Sequence, residues 1–133
     1  MKKYLQLAML VLICIEAFAG CAISENQLST GRYRMKFVPN TETKFSQVLA
    51  IEENNKFRVS GYLRLKVLNP IDIPGYVEVA LLTPNGEVFD LEKVPYYPEK
   101  SLHGRKCHKK GHFSAIFPEV PSAGTTVRLN NVN

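Results

Sequence analysis

The stretch that most constrains this chain is residues 57–67, Phe-Arg-Val-Ser-Gly-Tyr-Leu-Arg-Leu-Lys-Val. Phe57, Val59, Leu63, Leu65 and Val67 fall on one side of an extended backbone, with Gly61 among them. Arg58, Ser60, Tyr62, Arg64 and Lys66 fall on the other. Strict period-two alternation is the pattern of a strand with one buried face and one wet face. A strand of this length spans roughly 35 Å at about 3.3 Å per residue. Its apolar side needs a second apolar sheet to cover it, so the rest of the chain must supply strands.

It does so. Residues 32–38 place Tyr33, Met35 and Phe37 on one side and Arg32, Arg34 and Lys36 on the other. Outward cations suit an edge strand, because they discourage edge-to-edge association. Residues 45–51 are apolar enough to be a buried strand or a helical turn, and strand is the preferred reading. Asn54-Asn55 tolerates the left-handed backbone that a tight turn needs. Residues 69–75 are dense in turn formers. Residues 76–82 set Val77, Val79 and Leu81 against Tyr76, Glu78 and Ala80. Asn85-Gly86 between apolar runs predicts a hairpin, with residues 87–94 returning and Phe89 and Leu91 repeating at period two. Residues 95–111 show no periodicity and predict a long loop. Strands follow at 112–117, with Phe113, Ala115 and Phe117 on one face, and at 125–129, with Val127 and Leu129 inward. Residues 130–133 read as a polar tail.

Six or seven short strands without a convincing helix predict an all-β fold, a two-sheet antiparallel sandwich. The 133 residues, 45% hydrophobic and 22% charged, suffice for one domain with a real core. The strand pattern over residues 32–130 resembles the immunoglobulin-like and transthyretin-like domains found on many bacterial lipoproteins. No family-specific motif accompanies it. The absence of Trp and of a paired core disulfide departs from antibody-type domains.

The amino terminus reads as an export signal. Lys2 and Lys3 form a charged start, and residues 5–18 are apolar except for Gln6 and Glu16. The run is too short and interrupted for a spanning helix. Phe18-Ala19-Gly20-Cys21 then resembles a lipobox. That resemblance implies a diacylglycerol on Cys21 and cleavage before it, with acylation of the new amino group. A plain secretory leader cut elsewhere is the competing reading. Several acyl chains hold a protein durably to a bilayer where one holds it marginally. Ala22 after the cysteine, by the same resemblance, implies the outer membrane, with the domain facing the periplasm. The chain thus divides into a signal at 1–20, a lipidated cysteine and polar tether at 21–31, and the sandwich domain at 32–133.

With Cys14 in the signal and Cys21 lipidated, Cys107 stands alone. His103, Cys107, His108 and His112 lie within ten residues and include all three histidines. Sulfur and imidazole together suit copper or zinc. Lys100, Arg105, Lys106, Lys109 and Lys110 crowd the same loop, however, and like charges oppose a cation. The cluster suits an anion better, such as lipid phosphate or a cell-wall carboxylate; a solvated, mobile basic loop is the plain alternative. Histidine protonation below about pH 6.5 would favour the anion. Tyr96-Tyr97 could stack on sugar rings, though packing that pins the loop is the commoner use of such residues. The net charge of +5 fits either solubility or anionic partners.

Gly-rich phosphate loops, His-Glu-x-x-His and Gly-x-Ser-x-Gly are all missing from the sequence. The expected function is therefore binding rather than catalysis: an envelope accessory or assembly subunit, with an envelope protein or anionic component as partner. No cofactor is expected unless the His103–His112 cluster handles metal, the runner-up reading. Nucleic acid is not an expected partner, because along the sequence the basic residues are not interleaved with exposed aromatics.

Overall fold

A computed structural model describes residues 25–66, 74–98 and 110–133. Among these residues the structure is all-β. The strands are β1 (Arg34–Phe37), β2 (Thr43–Glu53), β3 (Lys56–Leu65), β4 (Tyr76–Leu82), β5 (Val88–Pro95), a two-residue β6 (Tyr97–Pro98), β7 (Lys110–Phe117) and β8 (Thr126–Val132). One sheet runs β1-β8-β4-β5 and the other β2-β3-β7, with the short β6 at its far edge. The predicted export signal, residues 1–20 with Cys21, lies outside the described residues. Among those described, no helix is long and apolar enough to cross a membrane.

The long alternating stretch becomes β3, at the centre of its sheet between β2 and β7. Its inward Phe57, Val59 and Leu63 are buried, as are Phe113, Ala115 and Phe117 on β7. Val77, Val79 and Leu81 of β4 and Val127 and Leu129 of β8 face them from the other sheet and close one core. Aromatic contacts knit it together. Phe57 lies 4.9 Å from Tyr33 and 6.1 Å from Phe117, centre to centre, and Phe45 meets Phe113 edge-on at 5.7 Å.

Local turn chemistry sets the hairpins. Asn54 and Asn55 both take positive φ, 51° and 59°, and join β2 to β3. Gly86, at φ 87°, closes the β4–β5 turn, where Thr83 N–H donates to the Glu87 carbonyl at 2.8 Å. Short polar residues and glycine reach this backbone region at least steric cost.

Several features go beyond or against the sequence expectations. The sandwich is not wholly antiparallel, because β1 lies parallel to β8, with Arg34 opposite Thr126 and Phe37 opposite Leu129. Residues read as a polar tail continue β8, and Asn131 is buried. Its side-chain amide donates to the Pro74 and Tyr76 carbonyls at 3.0 and 2.9 Å, and its oxygen accepts from the Thr43 hydroxyl at 3.1 Å. A buried polar group is tolerated when it is so satisfied, and this one ties the two sheets together. Phe89 and Leu91 stay about half exposed on the edge strand β5. Asp90 and Glu92 instead pair in register with the core residues Leu81 and Val79, and charges at the inner rim of an edge strand discourage further strand pairing. Finally, part of the predicted loop at 95–111 is ordered pairing, with Tyr97 opposite His112 in β6–β7.

The stretch read as a tether at 22–31 is described from Glu25 onward, and there it lies against the sandwich. Gln27 N–H donates to the Ala50 carbonyl at 2.8 Å, the Asn26 side chain accepts from Ala50 N–H at 3.1 Å, and Leu28 packs on the core.

Candidate functional site

Strand register builds the candidate site on the outer face of the β2-β3-β7 sheet. Alternation sends Arg58, Ser60, Tyr62 and Arg64 of β3 outward, and in-register neighbours on adjacent strands share that face. Lys44 of β2 pairs with Arg64 of β3, and Arg64 pairs with Lys110 of β7. Three cations therefore stand in one row across three strands, with backbones about 4.8 Å apart. The ion pairs among the described residues are Arg32–Glu52, Arg58–Glu53 and Arg128–Glu78, and none involves this row. Unneutralised like charges this close repel one another, and an anion relieves that repulsion.

The next row runs Ser46, Tyr62, His112 and Tyr97 across all four strands. The Tyr62 and His112 rings meet edge-on at 5.3 Å. Tyr97 is the most exposed large hydrophobic residue described, at 69%. Its neighbour Tyr96 points the other way and packs against the core, its ring lying over Gly111. A Cβ at Gly111 would fall 2.4 Å from that ring, so glycine is what admits it. The two uses considered for the Tyr96-Tyr97 pair are thus divided: Tyr96 pins the chain and Tyr97 is presented to solvent.

Lys110 is held in place from two sides. Its ammonium sits 3.6 Å from the centre of the Tyr62 ring and donates to the Gln47 side-chain oxygen at 3.1 Å. A cation over a ring face gains about 0.5–1 kcal/mol at an exposed site. Gln47 reaches it from a bulge in β2, where Gln47 and Val48 together face Gly61. Gly61 makes room for that bulge, because a Cβ there would lie 3.1 Å from Val48 Cγ2 and 3.2 Å from the Phe113 ring. Gln47 has φ 51°, a conformation that costs a non-glycine residue about 1–3 kcal/mol. From this bulge the Gln47 carboxamide oxygen accepts from Lys110.

Of the residues singled out from sequence, Lys110, His112 and Tyr97 belong to this face. Lys100, His103, Arg105, Lys106, Cys107, His108 and Lys109 lie outside the described residues, as does Cys21. Of the four candidate copper or zinc ligands only His112 is described, and among the described residues no group of three His, Cys, Asp or Glu side chains could hold a metal. Lys44, Arg64, Tyr62 and Gln47 were missed as site residues. Linear spacing gave no sign of them, because 20 positions separate Lys44 from Arg64 and 46 separate Arg64 from Lys110. The fold also sets Lys110 of β7 over the Tyr62 ring of β3, a pairing of cation and ring across strands that linear spacing does not reveal. No protein-family model matches the chain, and neither a curated protein nor a solved structure does.

Proposed function

We propose that this protein is a lipid-anchored envelope protein whose β-sandwich domain, of immunoglobulin-like or transthyretin-like kind, works by binding an anionic partner. The observation that carries the reading is the in-register row of Lys44, Arg64 and Lys110, unpaired with any acid among the described residues. Lys110 is already ordered by Tyr62 and Gln47, so less side-chain freedom is lost when it contacts an anion. In the sequence, Lys109 and the cations at 100–106 lead into this row and would add to its field. The lipobox-like segment ending at Cys21 supports a membrane address.

Two measurements test this reading. Mature protein extracted from membranes should carry acyl chains on an amino-terminal Cys21 by mass spectrometry; an unmodified terminus removes the anchor. In the same preparation, replacing Lys44, Arg64 and Lys110 together by Ser should weaken binding to inorganic polyphosphate roughly 5–50-fold at low salt, at about 0.3–0.8 kcal/mol for each exposed contact. The difference should shrink as ionic strength rises. Affinity unchanged by the triple substitution would count against this face.

A further inference from the structure

The cation row has a second row beside it, and the pair of rows points to a ligand class. Tyr97 and His112 present exposed rings on adjacent strands, directly opposite one another. Their backbones are about 4.8 Å apart, close to the length of one pyranose unit in an extended chain. The Tyr62 ring is not an open platform, since Lys110 covers it and His112 meets its edge. The face therefore offers one or two rings for stacking and, one row away along β7, a cation held in a fixed position.

We propose that this face binds a carboxylated saccharide. One sugar ring lies on Tyr97 and His112 with its carboxylate at Lys110, and carboxylates of the following units meet Arg64 and Lys44 further along the row. This rests on the anion-binding reading above and adds the ring to it. A bare phosphate would use the cations and leave Tyr97 idle. Single-stranded nucleic acid would use both, but it gains from successive open platforms along its path, and here Lys110 closes the Tyr62 platform. The export signal read in the sequence, on which the proposed function rests, would take the domain to a compartment where carboxylated saccharides are available and nucleic acid is not the expected partner.

The test compares four probes on the mature protein: an oligogalacturonate, a neutral maltooligosaccharide of equal length, polyphosphate and a single-stranded DNA oligonucleotide. Oligogalacturonate should bind tightest. Tyr97→Ala should weaken it roughly 5–10-fold, the order of one lost ring contact, while polyphosphate changes by less than about twofold. Tyr97 is exposed, so an unchanged melting temperature should confirm the fold of the variant. If Tyr97→Ala affects neither probe, or both equally, the saccharide is overturned and the anion reading survives. Tighter binding of the DNA, lost with Tyr97→Ala, overturns the saccharide in favour of nucleic acid. Failure of the Lys44, Arg64 and Lys110 substitutions to weaken either polyanion removes both readings.

Discussion

Phe57→Ala is expected to remove about 3–5 kcal/mol from the unfolding free energy. Phe57 is fully buried at the start of β3 and touches the rings of Tyr33 and Phe117. It lies beside β7 in register with Phe117 and beside β2 in register with Glu52. Phe117 is fixed in β7 and Tyr33 by the hydrogen bonds of its hydroxyl, so neither ring is free to fill the void and the cavity term adds to the lost transfer energy. Domains of this kind have about 5–15 kcal/mol in total, and the variant would sit near the edge of folding. Urea unfolding followed by tyrosine fluorescence measures the loss. Phe89→Ala serves as the comparison, because Phe89 is half exposed on β5 and its replacement should cost less than about 1 kcal/mol. Equal costs for the two would mean that the core is not where the sandwich places it.

Tyr33→Phe should destabilise the domain by about 1–3 kcal/mol at neutral pH, and its effect should fade in alkali. The Tyr33 hydroxyl has Glu52 Oε1 at 2.5 Å and the Pro121 carbonyl at 3.0 Å, two acceptors for a single proton. Burial above all, and then the Glu52 carboxylate accepting its proton, push the Tyr33 pKa up from 10.0 to about 12. The folded state thus keeps this proton after the unfolded chain has lost it. Stability from Tyr33 is complete below pH 10 and is lost as pH rises toward 12, because there the unfolded state binds fewer protons. Phenylalanine has no proton to lose, so the stability gap between the two proteins should narrow from pH 9 to pH 12. A gap that stays constant across that interval would show that Tyr33 does not hold its proton in this way.

These two positions show how far the sequence was legible. Tyr33 and Phe57 were readable as inward residues because period-two alternation is local, and each segment states which of its faces avoids water. Phe37 obeys the same alternation and yet stays half exposed, stacked on Phe45 at 5.9 Å. It lies at the end of a four-residue edge strand, beyond which there is little to cover it. Pattern tells a side chain which way to point, while burial depends on what stands opposite. Asn131 shows the reverse case. A polar residue at the end of the chain reads as solvated, and only the arrival of Thr43, Pro74 and Tyr76 around it makes burial affordable.

By itself the sequence determined the strand-rich character of this protein, the faces of its main strands, the Asn54-Asn55 and Asn85-Gly86 turns, and the need for a second covering layer. Each of these follows from interactions between residues a few positions apart. Only the tertiary structure decided that β1 runs parallel to β8, and that Lys44, Arg64 and Lys110 share a row beside Tyr62, His112 and Tyr97. Strand partnership and register are fixed by closing long loops around a common core. No window of neighbouring residues contains that choice, so a face assembled from four strands comes into being only when the sheet does.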